Sequence, residues 1–159
     1  MTTVFRDSSV IKMSDCTIRP ATKDDTPALC ALEKETFSLP WSEDAFLSFF
    51  ENPCARAFVC EADGKTVGYI TLYLTFDEAE IANLAVTASH RRRGIAGLLL
   101  DRAASLDGVT RLLLDVRESN TAARALYEKK GFTVDGIRRR FYEKPTEDAV
   151  LMSREIIKG

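Results

Sequence analysis

The spacing of apolar positions changes several times along the chain, and each change predicts an element. Residues Met1 to Ser14 show no clear periodicity and read as a tail or a short added strand before a single domain over 15–159. Cys16-Thr17-Ile18-Arg19-Pro20 reads as a short strand that Pro20 ends. Ala28, Leu29, Leu32 and Phe37 then recur at helical spacing, and Thr22 or Asp24 can cap a helix running to about Glu35. Leu39-Pro40-Trp41-Ser42-Glu43 breaks it, and Ser42 opens a second helix through Ala45, Phe46, Phe49 and Phe50. Ala57 to Glu61 predicts a strand, Ala62-Asp63-Gly64-Lys65 a hairpin turn, and Thr66 to Thr75 the return strand. Glu80 to Val86 is nearly all apolar, so that strand is expected to be buried on both faces. A loop from Thr87 to Arg93 leads into a helix from about Gly94 to Ser105. Arg111 to Arg117 is another strand, and Asn120 caps a helix through Lys129 that Gly131 stops. Phe132 to Arg140 and Ala149 to Ile156 close the chain as a strand pair. The predicted order, β-α-α-β-β-β-α-β-α-β-β, describes an α/β or α+β layer with helices covering a mixed sheet.

Composition narrows the function classes. The 159 residues are 45% hydrophobic and 29% charged, with a net charge of −2, which does not suggest a nucleic-acid binder. Arginines cluster at Arg91, Arg92 and Arg93 and again at Arg138, Arg139 and Arg140. Groups of that size suit one small anionic ligand. Cys16, Cys30, Cys54 and Cys60 include no C-x-x-C pair, and His90 is the only histidine, so a zinc site is not expected. The thiols read as reduced and mostly buried. Charges at Arg6, Asp7, Lys12 and Asp15 leave no room for a secretory apolar region, and no stretch is long enough to span a membrane. The expectation is a soluble cytoplasmic protein.

One segment carries a chemical hint. After the buried strand come Arg91-Arg92-Arg93-Gly94-Ile95-Ala96-Gly97 and then a helix. The first N–H groups of a helix lack intrahelical partners, and the dipole makes that end positive, which suits a phosphate. Gly94, Ala96 and Gly97 would let phosphate oxygens approach the backbone. A solvated basic turn before an ordinary helix is the competing reading. Gly64-Lys65-Thr66 mimics the end of a P-loop, but Val59 stands where the earlier glycine belongs, and the segment lies in a hairpin.

The loop is followed downstream by Asp115-Val116-Arg117-Glu118-Ser119-Asn120, Ala125-Leu126-Tyr127-Glu128 and Gly131-Phe132. Together these resemble the GNAT superfamily of acetyltransferases, and within it the bacterial ribosomal-protein alanine N-acetyltransferases. Leu39-Pro40-Trp41-Ser42-Glu43, Asn83-Leu84-Ala85-Val86 and Glu147-Asp148-Ala149 add to the likeness, which covers roughly Thr17 to Ile156. The resemblance implies a mixed, mostly antiparallel sheet splayed between the fourth and fifth strands and flanked by about four helices. It implies acetyl-CoA as cosubstrate, with its pantetheine arm along Leu84, Ala85 and Val86. The diphosphate would sit on the loop from Arg91 through Arg92, Arg93, Gly94, Ile95 and Ala96 to Gly97. Asn120 matches a CoA-contacting position and is also a good N-cap. Trp41 and Tyr142 would line the acceptor groove.

Acetyl transfer to an amine needs a base, an oxyanion donor and stabilisation of the leaving thiolate. The implied base is a glutamate at the place held here by Asp115, whose carboxylate reaches about 1.5 Å less far. Glu80, on an apolar strand, is the second candidate, with a raised pKa if buried. Tyr127 matches the implied acid. A phenol is a weaker acid than a thiol by about 2 kcal/mol on reference values, so a hydrogen bond to developing charge is the expected role. A backbone N–H near Val86 would serve the oxyanion. Glu33, Glu35, Asp77 and Glu78 could attract a basic N-terminal peptide. The implied reaction acetylates a protein N-terminus, such as the alanine of a ribosomal protein. A lysine or small-molecule amine acceptor, and an acyl-CoA-binding sensor without catalysis, are the alternatives.

Overall fold

The computed structural model of the chain describes residues 16–157. The predicted tail, Met1 to Ser14, lies outside the described residues. Among the described residues, seven strands form one sheet: β1 Cys16–Pro20, β2 Ala55–Ala62, β3 Lys65–Thr75, β4 Glu78–Val86, β5 Arg111–Arg117, β6 Thr133–Tyr142 and β7 Glu147–Glu155. Four helices pack on it: α1 Thr26–Thr36, α2 Glu43–Glu51, α3 Ile95–Ala104 and α4 Thr121–Lys129. The strand order is β1-β2-β3-β4-β5-β7-β6. Every neighbouring pair is antiparallel except β4 and β5.

Neighbouring residues of a strand face opposite sides of a sheet, and the two sides carry different helices. Cys60, Ile70, Val86, Leu112 and Val116 pack with Leu99 and Leu100 of α3 and Tyr127 of α4. Their sequence neighbours Val59, Tyr69 and Ala85 pack with Leu29 and Leu32 of α1 and Phe46 of α2. The hairpin between β2 and β3 turns through Asp63 (φ 53°) and Gly64 (φ 75°), the positive pair a two-residue turn needs.

Helix starts follow the local chemistry. Thr22 caps a short 3-10 turn over Lys23–Asp25, and Asp25 answers with its own side chain, so α1 proper begins only at Thr26. Ser42 Oγ accepts from the Ala45 amide to start α2. Asn120 Oδ1 accepts from the Ala123 amide to start α4.

The feature that shapes the site is a break in the middle of the sheet. β4 pairs with β5 only at Glu78–Arg111, Ala79–Leu112 and Glu80–Leu113. Immediately beyond, the register of β4 against β3 slips between Ile81 and Asn83, leaving Ala82 as an extra residue. Such a bulge bends its strand, and from here β4 leaves β5. Thr71 Oγ1 accepts the Asn83 amide at 3.1 Å and steadies the bulge. Ala82 is exposed and Asn83 and Leu84 are half-buried, so β4 is not covered on both faces as its apolar run predicts. The splay removes the neighbour that would have covered it. The cysteines also depart from expectation: only Cys60 is buried, Cys16 and Cys30 are intermediate and Cys54 is exposed.

Candidate active site

The splay opens two cavities. One, of about 440 Å³, lies between the α1–α2 connection and the β6–β7 hairpin, with Trp41, Asn83, Asp115, Phe141 and Tyr142 in its walls. The other, of about 580 Å³, runs along Leu84, Ala85 and Val86 to Arg92, Gly94 and Ala96. Thr36, Leu84, Asn120, Ala123 and Tyr127 line both.

The second cavity ends at the N-terminus of α3. Gly94 sits there at φ 84°, with no side chain capping the helix. The leading N–H groups of α3 are thus left for an outside acceptor, at the positive end of its dipole. Gly94 is required for that backbone angle, since a Cβ there would touch nothing within 4 Å. Gly97 has a different reason for lacking a side chain: a Cβ would lie 2.8 Å from Lys130 Cε, whose ammonium pairs with Asp101 at 3.0 Å. Gly97 also lines the cavity, and a side chain there would have to displace the flexible end of Lys130.

The three arginines diverge. Arg91 Nε donates to the Val86 carbonyl at 2.8 Å, and its guanidinium lies 3.8 Å from Glu35, so it ties the loop to β4 and α1 while bordering the cavity. Arg92, at φ 65°, is exposed and lines the cavity. Arg93 is exposed and lines neither cavity.

Tyr127 stands where the cavities meet. Its side chain is 9% exposed and its ring packs 5.7 Å from that of Phe132. Burial first, and the Tyr142 phenol second, push its pKa up to about 12. Its hydroxyl has no hydrogen-bond partner among the described residues. A buried tyrosine hydroxyl usually finds one. The Thr36 hydroxyl at the same junction is likewise buried and unpartnered. Unsatisfied groups facing a cavity call for a ligand.

Asp115, on β5, is half-buried, and burial raises its carboxyl pKa against an opposing pull from Arg138. Tyr142 is pushed up to about 12 by burial and then by the Asp115 charge. The hairpin carrying Tyr142 is locked to β5 by Arg117. That guanidinium donates to the carbonyls of Glu143 and Pro145, at 2.7 and 2.9 Å, and lies 4.6 Å from the Tyr142 ring centre. Glu80 is exposed, opposite Tyr73 on β3, and lines neither cavity. The condition attached to it, burial, is not met.

Trp41 rests on Phe46 and Phe49, with ring centres 5.1 and 5.7 Å away. Its amide donates to Glu33, a residue that sequence reasoning assigned to a solvent-facing acidic surface. Glu33 is 1% exposed. Nor do its companions form a free acidic face: Glu35 accepts from Thr87 and Ala88, Asp77 from Thr110, and Glu78 pairs with Arg111. The signal available for Glu33 was its place four residues after Leu29, on the same apolar face of α1, where a solvated carboxylate does not belong.

Residues 26–132 match the model of the acetyltransferase (GNAT) family. The chain belongs to the GNAT family of acetyltransferases. It is 36% identical to the ribosomal protein bS18-alanine N-acetyltransferase of Escherichia coli K12 over 149 residues, 88% of this chain and 97% of that one. The crystal structure of the Escherichia coli ribosomal-protein-S18-alanine N-acetyltransferase superposes with a TM-score of 0.84 at 34% identity, covering 91% of this chain and 96% of that one. Arabidopsis thaliana NAA60 in complex with acetyl-CoA shares the fold, with a TM-score of 0.80 at 18% identity over 89% of this chain and 99% of that one. The chain is an acetyl-CoA-dependent N-acetyltransferase. Its open β4 edge and uncapped α3 terminus suit the peptide-like arm and the diphosphate of that cosubstrate.

Proposed function

We propose that the enzyme transfers the acetyl group of acetyl-CoA to the α-amino group of a protein N-terminus, with an alanine-first ribosomal protein as acceptor in the cytoplasm. The observation that carries this reading is the meeting of the two cavities at Tyr127, with Asp115 in the wall of one and the anion-accepting terminus of α3 at the end of the other. The bS18-alanine names of the relatives support the choice of acceptor.

In this reading Leu84, Ala85 and Val86 hold the pantetheine arm as a strand would. The amides after Gly94, with Arg92, hold the diphosphate. Arg91 shapes the loop. The amine enters past Trp41 and Tyr142. An α-amino group titrates near 8, so roughly a tenth is already neutral at pH 7. Asp115 takes the remaining proton, directly or through a water, and its raised pKa improves it as a base. Glu80, outside the cavities, is left without that role. The Tyr127 hydroxyl donates to the sulfur as negative charge leaves with it. Asn120 lines the junction while capping α4.

The test measures CoA release with alanine-first basic peptides beside a lysine peptide blocked at its N-terminus. Turnover on the free N-termini alone is expected. Turnover on the blocked lysine peptide alone would move the acceptor to a side-chain amine. Tight acetyl-CoA binding with no turnover on any amine would make the domain an acyl-CoA-binding module.

A further inference from the structure

A buried carboxylate in the wall of the acceptor cavity has no part in the chemistry above. Glu33 stands in the last turns of α1 and reaches three other parts of the fold. Its Oε1 accepts the Trp41 amide at 2.8 Å, from the α1–α2 connection. Its Oε2 accepts the Asn83 side-chain amide at 3.0 Å, beside the β4 bulge, and the Tyr69 hydroxyl of β3. Within the connection between α1 and α2, Ser38, Leu39 and Pro40 are exposed. Glu33 thus joins the exposed connection between α1 and α2 to the strand that makes the splay.

We propose that Glu33 is a positioning residue that fixes the acceptor-side loop, and Trp41 in particular, against β4 and thereby sets the affinity for the acceptor. This rests on the acceptor cavity being the amine site. Glu33 acts through these neighbours, because both of its oxygens already accept from the Trp41 amide, the Tyr69 hydroxyl and the Asn83 side chain.

The ionic state of Glu33 should govern the strength of this clamp. A charged carboxylate accepts bonds about twice as strong as a neutral one. Burial raises its pKa to about 7, against a smaller lowering by the Trp41 amide. The titratable groups around it are the Tyr69 phenol of β3 and the Cys30 thiol of its own helix. Lys34 and Glu43, from α1 and α2, act on that same thiol. Asp115, Arg117, Tyr142 and Glu143 face the cavity from β5 and the β6–β7 hairpin. No ion pair to Glu33 exists among the described residues. Protonation would therefore leave the loop held by weaker, neutral hydrogen bonds.

Trp41 is the only tryptophan in the chain, so its fluorescence reports on this loop alone. The experiment titrates that emission from pH 5.5 to 8.5 in the full chain without substrate, in the wild type and in Glu33→Gln. It then compares acetyl-CoA Kd, acceptor KM and kcat at pH 8. Expected are a wild-type transition near pH 7 that Glu33→Gln abolishes, an acetyl-CoA Kd within twofold, an acceptor KM raised about tenfold and a kcat changed less than threefold. A pH-independent Trp41 emission in the wild type would overturn the proposal, even if the variant fails to fold. So would a Glu33→Gln enzyme whose acetyl-CoA Kd worsens as much as its acceptor KM. If no peptide is turned over, the acceptor assignment fails, while the fluorescence comparison still decides whether Glu33 holds the loop.

Discussion

Replacing Tyr127 with phenylalanine separates two roles for this hydroxyl. A phenol at about 12 facing a thiolate whose conjugate acid lies near 8.5 differs from it by 3.5 units. Full proton transfer would be uphill by about 4.8 kcal/mol, more than the reference values suggest, because burial weakens the phenol further as an acid. A hydrogen bond to the developing charge carries no such penalty. Bonds to charged groups contribute roughly 1.5–3 kcal/mol. Tyr127→Phe should therefore lower kcat by roughly 10- to 150-fold. Acceptor KM should change little, since the charge exists only near the transition state. Folding stability should stay within about 0.5 kcal/mol, because the lost hydroxyl has no protein partner and the ring keeps its contact with Phe132. Steady-state CoA release and urea denaturation measure both. A variant that turns over within twofold of the wild type would refute the assignment. A loss beyond about 10⁴-fold would refute the hydrogen-bond account, since a single such bond does not reach that size.

Asp115→Asn should lower kcat/KM by roughly 10²- to 10⁴-fold, the span of a lost general base, while Asp115→Glu keeps a carboxylate and retains most activity. Because burial raises the Asp115 pKa, the acid limb of the wild-type kcat/KM profile should lie above the ordinary carboxylate range, and a limb within that range would count against it. Gly94→Ala should cost about 1–2 kcal/mol, since φ 84° strains any side chain, and should weaken acetyl-CoA binding as the α3 terminus moves. Gly97→Ala should cost less, about 1 kcal/mol or under, because the Lys130 stem can swing away at the expense of a surface ion pair; the reverse ranking in thermal unfolding would contradict this. Glu33 should make stability fall with rising pH. Its folded pKa of about 7 lies above the unfolded 4.5, so its charged form penalises the fold progressively between those values. Relative to Glu33→Gln, the wild type should lose up to about 3 kcal/mol from pH 4.5 to pH 8.

Much of the architecture is legible because its signals are local. Asp63-Gly64 marks the hairpin, Ser42 and Asn120 mark helix starts, and Gly94 marks the helix that ends the second cavity. Asp115, Tyr127 and Asn120 were legible from motif order, and the splay brings them to one pair of cavities. What the sequence hides is which side chains find partners across long separations. Arg91 borders the second cavity as its place in the loop suggests, but its Nε bond to the Val86 carbonyl leaves no local trace. Gly97 lines the second cavity, but nothing local announces that Lys130 lies beside it. Glu80 lies on an apolar strand yet faces solvent, because the alternation of β4 sends it outward before the bulge resets the faces.

The acidic residues of α1 show why the open sheet persists. Strands parted in mid-sheet leave edge N–H and C=O groups unpaired, which costs free energy wherever water is kept away. The last turns of α1 offset this from one side. Glu33 ties the acceptor loop to β4 beside the bulge, and Glu35 ties the Thr87–Ala88 turn and Arg91 to the same helix. Two carboxylates, two residues apart, thus hold the walls of the two substrate cavities. A helix that bridges both walls can pass a change in one to the other. Loosening the Glu35 contacts should therefore weaken acetyl-CoA binding first, and loosening Glu33 should weaken the acceptor first. That opposite ordering distinguishes two local clamps from a general loss of stability.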